Sequence, residues 1–291
     1  MSSNRSDHLN RQRFSVLSIN SKESIFLKFL YQTKIGRCVL TVLIQPNFSK
    51  LIGWFLNKKI SCLFIGYFCK KNKIQKERYE TKKYRSFNDF FSRKLKETPH
   101  AKAAGEFCSP CDGKLLIYPI DESLEIKTKH SIYTVSQLLQ DAELAKEYEH
   151  GMICIFRLTP DDYHRYHFFD EGEILLTKKI KGVLHTVRPI AMREFPVFHE
   201  NARELSILET KHFGKVIQVE VGALMVGKIR NTPKKTFHSF EEKGYFEFGG
   251  STIILLFQKN RVHFLNELLE NTQQNLETIV SVGDQIGECL R

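Results

Sequence analysis

The stretch YFEFGGSTIILLF, residues 245–257, decides how this chain is read. Ile253–Phe257 is an unbroken apolar run of the length expected for a strand buried on both faces. Two glycines and two hydroxyl residues lead directly into it. A turn accounts for one glycine. A pair followed at once by Ser251-Thr252 reads instead as backbone kept free of Cβ atoms so that chemistry can take place on it.

Working outward, the segments GKLLIYPI, GMICIFRL, GEILLTKKI and KVIQVEVGALMVGKI are further short β-prone runs, separated by Gly, Pro and Asp. Clear helical periodicity is confined to SQLLQDAELAKEYE and VHFLNELLENTQQNLETI. No repeated βαβ cadence occurs, so residues 105–291 read as a β-rich α+β domain.

Residues 1–104 have a different texture. From Leu27 to Phe68, apolar runs (FLKFLYQ, GRCVLTVLIQP, FSKLIGWFLNKK, ISCLFIGYFCKK) are broken by Pro46, Lys50, Lys58 and Lys59. None reaches the ~18–20 residues needed to cross a bilayer. Helices with Trp54, Phe55 and Tyr67 on one side and lysines near their ends suit the plane of a membrane interface. Charge supports that division. Residues 1–105 carry 22 Lys+Arg against 6 Asp+Glu, whereas the remainder carries 22 against 27. A basic front half seeks an anionic surface. Zinc-finger spacing, an RNP-like strand and a Gly-rich phosphate loop are all missing, so lipid is favoured over nucleic acid. The seven cysteines follow a polar leader, MSSNRSDHLNRQR, without an h-region, and read as reduced thiols.

Two segments carry candidate chemistry. FCSPCDGKL holds Cys108 and Cys111 at CxxC spacing, but with no second ligand pair and no thioredoxin-like context the cysteines read as incidental. Its Asp112-Gly113 forms a tight turn presenting a carboxylate at the start of a strand. TPDDYHRYHFFDEGEI holds His164 and His167, side chains suited to moving protons near neutral pH. Neither an HxH nor an HExxH pattern supports a metal, and none is expected.

Taken together, SPCDGKL, TPDDYHRYHFFDEGEI, FPVFHENARELSIL, VEVGALMVGKI and EKGYFEFGGSTIILLF occur in the order found in phosphatidylserine decarboxylases, and SFNDFFSRKLK and the helical front resemble that family's N-terminal part. The GGST form of the last motif resembles a bacterial branch. The resemblance implies a proenzyme that cuts itself between Gly250 and Ser251 into a β chain, 1–250, and a 41-residue α chain, 251–291. It implies that Ser251 becomes a covalent pyruvoyl cofactor, that Asp112, His167 and Ser251 form a self-cleavage triad, and that His164 serves decarboxylation. The implied substrate is phosphatidylserine, converted to phosphatidylethanolamine and CO2 by a peripheral enzyme on the cytoplasmic face of a bacterial membrane. Family members are often homodimers.

Serine is a weak nucleophile at its own pKa and needs a base with an orienting partner, which fits an Asp–His–Ser set. Ala202 in HENARELS and Arg188 before Pro189 depart from the family pattern, both outside the triad. The rival readings are a serine hydrolase acting on lipid esters with the same triad, and a family decarboxylase for another amino-acid headgroup. The first would be expected to place its serine in GxSxG on a strand-to-helix elbow.

Overall fold

The computed structural model describes residues 14–18, 24–100, 103–127, 132–224, 228–249 and 251–290. The polar leader and Gly250 lie outside the described residues.

A nine-stranded antiparallel sheet forms the frame. Its order is β1 (Val16–Ser18), β16 (Leu276–Val280), β3 (Gly113–Pro119), β6 (Met152–Leu158), β14 (Ser251–Phe257), β10 (Gly214–Val221), β9 (Arg203–Thr210), β8 (Gly172–Ile180) and β12 (Thr236–Phe237). Two three-stranded sheets flank it: β11 (Ile229–Asn231), β13 (Glu242–Phe246) and β7 (Arg165–His167); and β15 (Val262–Phe264), β17 (Gln285–Cys289) and β2 (Glu106–Cys108). A ribbon of β4 (Glu125–Lys127) and β5 (Ile132–Thr134) completes the strands.

The strand expected from IILLF lies at the centre of the frame. All seven residues of β14 are buried, because both its faces are covered. Ile253, Leu255 and Phe257 join Phe156, Val216 and the aromatics of the flanking sheets on one side. Ile254 and Leu256 join Ile153, Ile155 and Val219 on the other, beneath α6 (Val135–Leu139), α7 (Ala142–Lys146) and α9 (Val197–Glu200). Each such side chain contributes about 1.5–3 kcal/mol on burial. An apolar run without alternation is what two covered faces require.

The front half folds as short helices: α1 (Ile25–Gln32), α2 (Lys34–Leu43), α3 (Pro46–Leu56), α4 (Leu63–Lys71) and α5 (Phe87–Phe91). Ser24, Thr33 and Ser86 cap α1, α2 and α5 by accepting from backbone N–H groups two or three residues into the helix, and Pro46 opens α3. Thirteen large apolar side chains between Ile25 and Tyr67 are exposed, among them Ile25 at 87%, Leu63 at 80%, Ile35 at 72% and Trp54 at 60%. No single described helix is long and apolar enough to cross a membrane. The opposite faces pack inward, α1 and α2 with α8 (Pro189–Glu194), and α3 and α4 with α5. Ahead of these helices, β1 pairs with β16 and so belongs to the main sheet.

Two helical expectations need correction. VHFLNELLENTQQNLETI folds as β15, the eight-residue α10 (Asn266–Gln273) and β16, because Asn275 takes a left-handed conformation and the apolar residues at each end complete sheets. SQLLQDAELAKEYE breaks into α6 and α7 where Gln140 turns left-handed and Asp141 caps the second helix.

Candidate active site

Ser251 opens β14 opposite Leu158, the last residue of β6. Beyond Leu158 the chain runs through Thr159–Tyr163 to His164 and β7; before Ser251 it arrives from β13 through Phe248 and Gly249. The Phe246 N–H donates to the His164 carbonyl at 3.0 Å. The two segments are therefore tied together at both ends, and Gly249 lies alongside the loop that carries the histidines. Gly249 is buried with φ 138°, a region that L side chains rarely adopt. Ser251 thus begins a strand and sits on no strand-to-helix elbow.

The hydroxyl of Ser251 is buried and has no hydrogen-bond partner. Nε2 of His164 is likewise buried and unpartnered. His164 Nδ1–H donates to the Asp162 carbonyl at 3.0 Å, which leaves the Nε2 lone pair open. Phe91 lies against the imidazole with ring centroids 4.0 Å apart and also meets Phe248 at 5.1 Å, bridging this histidine to the segment before the glycines. Burial, and then the charge of Arg93, push the His164 pKa down to about 3, so the ring is neutral at physiological pH.

His167 is held differently. Its Nδ1–H donates to the Phe240 carbonyl at 2.9 Å, and its Nε2 accepts the Tyr163 hydroxyl at 3.3 Å. Burial lowers its pKa as well. The tautomer is the one a general base requires, with Tyr163 sitting on the basic nitrogen.

Asp112 lies at the turn into β3, next to His167, whose N–H donates to the Pro110 carbonyl at 2.9 Å. Its carboxylate is not hydrogen-bonded to that imidazole. Arg78 grips it with two donors at 2.5 and 2.8 Å, and the Tyr163 and Val282 N–H groups add bonds of 3.2 and 2.9 Å. The structure gathers the turn, both histidines and the serine into one region but does not link Asp112, His167 and Ser251 into a hydrogen-bonded relay.

Several supporting residues were not singled out from the sequence. Lys114 donates to Thr159 Oγ1 at 2.6 Å and to the Asp162 carboxylate at 2.7 Å, pinning the histidine loop. Asn88 Oδ1 accepts the Phe248 N–H at 3.1 Å and fixes the approach to the glycines from α5. Arg78 belongs to the run KKNKIQKERYETKKYR, where a single functional arginine has no signature among its neighbours. The pair Cys108 and Cys111 is buried, and all seven cysteines are free thiols. Burial, with the charges of Asp112 and Asp162, pushes the Cys111 thiol well up, so it is a poor nucleophile. Among the described residues no group of His, Cys, Asp or Glu could hold a metal ion.

The pyruvoyl group that the family resemblance implies would have to form from Ser251 itself. The residues present fit it: a buried, unpartnered hydroxyl follows two glycines, and the same region holds a buried imidazole nitrogen without a partner.

Known proteins resemble this chain over most of its length. The family described as phosphatidylserine decarboxylase matches residues 87–288. The chain is 48% identical to phosphatidylserine decarboxylase proenzyme 2 of Clostridium acetobutylicum, over 90% of this chain and 91% of that one. It is 42% identical to the phosphatidylserine decarboxylase proenzyme of Ruminiclostridium cellulolyticum, over 91% of each. It is 38% identical to that of Chlamydia muridarum, again over 91% of each.

Proposed function

The chain belongs to the phosphatidylserine decarboxylase family, and from that premise we propose that it cuts its own Gly250–Ser251 bond and then decarboxylates phosphatidylserine to phosphatidylethanolamine. The observation that carries the reading is the pair of buried, unpartnered atoms, Ser251 Oγ and His164 Nε2, beside a strained glycine at the start of a central strand.

In the first reaction Ser251 Oγ attacks the carbonyl carbon of Gly250, and its proton passes to a neutral imidazole. His167 has the tautomer for that task, and Tyr163 must yield its place on Nε2 or relay the proton. Asp112 acts by fixing the turn and loop around His167 through Arg78, Tyr163 N–H and Val282 N–H. The acyl group moves from nitrogen to oxygen; loss of the Ser251 α-proton breaks the new ester, leaving a β chain of 1–250 and an α chain of 251–291. Hydrolysis of the new α-chain terminus gives pyruvoyl and ammonia. Once formed from Ser251, the pyruvoyl group would supply a carbonyl for the substrate amine and an electron sink for the loss of CO2. His164 then delivers a proton to the former α-carbon.

The helical front places this chemistry at a lipid surface. Its exposed apolar side chains lie on helices carrying Lys28, Lys34, Lys50, Lys70 and Lys71, the composition of an interfacial anchor. This composition supports peripheral attachment to an anionic lipid surface, which we assign to the cytoplasmic leaflet. Vesicles containing phosphatidylglycerol are expected to bind the protein, and Trp54→Glu with Leu63→Glu to release it. Unchanged co-sedimentation of that variant would overturn the anchor.

Ser251→Ala tests the function: one uncut chain of about 34.0 kDa that makes no phosphatidylethanolamine is expected. Cleavage or turnover in that variant would reject the reading. A related headgroup as true substrate would show as faster turnover of another aminophospholipid in headgroup competition.

A further inference from the structure

Arg93 is one of the largest buried side chains, 1% exposed, yet no carboxylate lies within ion-pair distance among the described residues. Its guanidinium donates to the carbonyls of Phe91, Asp161 and Asp162 at 3.3, 3.3 and 3.0 Å, and to the Tyr79 hydroxyl at 3.3 Å. It also lies over the Tyr79 ring at 4.3 Å. Nε is buried and has no partner at all. A desolvated cation without a counter-anion is costly. Most other buried cations here avoid that cost: Arg157 pairs with Glu277, Lys243 with Glu220 and Lys114 with Asp162. Arg203 also lacks a carboxylate, but all three of its nitrogens are satisfied by backbone carbonyls.

Arg93 differs in being among the residues that line a cavity of about 220 Å3. That is several times the ~30 Å3 a water occupies in the liquid. Lys76 and Lys82 contribute further positive charge to its wall, Lys82 already paired with Asp89, and Glu80 is the one acid lining it. Ile65 and Cys69, from α4, make the other wall apolar. One side of the cavity thus suits an anion, and the other continues into the helix that carries the exposed Leu63, Phe64 and Tyr67. Its link to the site is short. The Asp162 carbonyl that accepts from Arg93 also accepts from His164 Nδ1.

We infer that this cavity is a phosphodiester subsite, in which Arg93 and Lys76 hold the phosphate of a phospholipid headgroup while its glycerol end leaves along α4. A fork of N–H donors is suited to phosphate oxygens, and the bound anion supplies the counter-charge that Arg93 lacks. Recognition at the phosphate would fix the headgroup next to His164 whatever amine it carries. The decarboxylase reading enters only in identifying that headgroup as the substrate's.

Binding to the Ser251→Ala precursor, which cannot make its cofactor, tests the subsite apart from the chemistry. The probes are dihexanoylphosphatidylserine and dihexanoylphosphatidylcholine below their micellar concentrations, L-serine and inorganic phosphate, measured by calorimetry at low salt. Both lipids are expected to bind, serine is not, and inorganic phosphate is expected to bind at least tenfold more weakly than the lipids. Lys76→Glu, at an exposed position, should raise both lipid Kd values at least tenfold; Arg93→Gln should do the same, with Arg93→Lys intermediate. Unchanged lipid Kd in Lys76→Glu, or no lipid binding, overturns the subsite. Phosphate binding as tight as lipid overturns the lipid assignment in favour of a free-anion site. A precursor that binds lipid in this way, from a wild-type chain that never cleaves, would reject the proposed reaction and leave the subsite standing.

Discussion

Removing Arg78 probes how the helical front controls the site. Two short charge-assisted bonds join it to Asp112, whose side chain is 4% exposed while that of Arg78 is 31% exposed. Hydrogen bonds to charged groups are worth about 1.5–3 kcal/mol each, and breaking one side of a buried pair costs about 3–5 kcal/mol. The partial exposure of Arg78 and the two N–H groups that remain on Asp112 place Arg78→Gln at the lower end, about 3 kcal/mol. At about 2–4 °C per kcal/mol for a chain of this size, Tm should fall by roughly 6–12 °C. Asp112→Asn should cost less, since the freed guanidinium can rotate into water. The assay is a double-mutant cycle by thermal unfolding in the Ser251→Ala background, where cleavage cannot obscure the transition. A coupling of about 2 kcal/mol between the two changes is expected. Coupling below about 0.5 kcal/mol would refute the idea that Arg78 is what holds Asp112.

Three further outcomes follow from the same geometry. The His164 pKa is depressed on folding, so its neutral burial costs nothing above the unfolded pKa of 6.5 and destabilises the fold as pH falls from there toward about 3. That amounts to about 2 kcal/mol between pH 7 and pH 5, and His164→Gln should remove this share from urea-unfolding curves; equal pH slopes in both proteins would contradict it. Gly249→Ala places a Cβ at φ 138° and costs about 1–3 kcal/mol, so self-cleavage followed on denaturing gels should change rate several-fold or more; an unaltered time course would show that the glycine is not required by the strained backbone. His164→Ala is expected to cleave at least in part and to yield no phosphatidylethanolamine, whereas His167→Ala stays uncut; the opposite pattern would exchange the two histidine roles.

The central strand was legible in the sequence, since burial on both faces leaves an unbroken apolar run, and the glycine pair stands directly before it. Of the front helices, α1–α4 were equally visible, their apolar runs being separated by Pro46 and lysines. Residues 262–279 misled because a short helix flanked by strands preserves an apolar spacing close to helical over the whole segment. The functional candidates are brought into one region, but their hydrogen bonds were out of reach. Asp112 is engaged by an arginine 34 positions away, and only tertiary packing selects Arg78 from among its basic neighbours. Arg93 was hidden for a similar reason: an arginine after NDFFS reads as one more surface charge until the fold buries it.

Self-cleavage stands or falls with the Gly250–Ser251 bond. Intact-mass analysis of the purified, active protein under denaturing conditions is predicted to show two chains, 1–250 and 251–291, the second beginning with a pyruvoyl group in place of Ser251. A single 34.0 kDa chain in a sample that decarboxylates phosphatidylserine would contradict it.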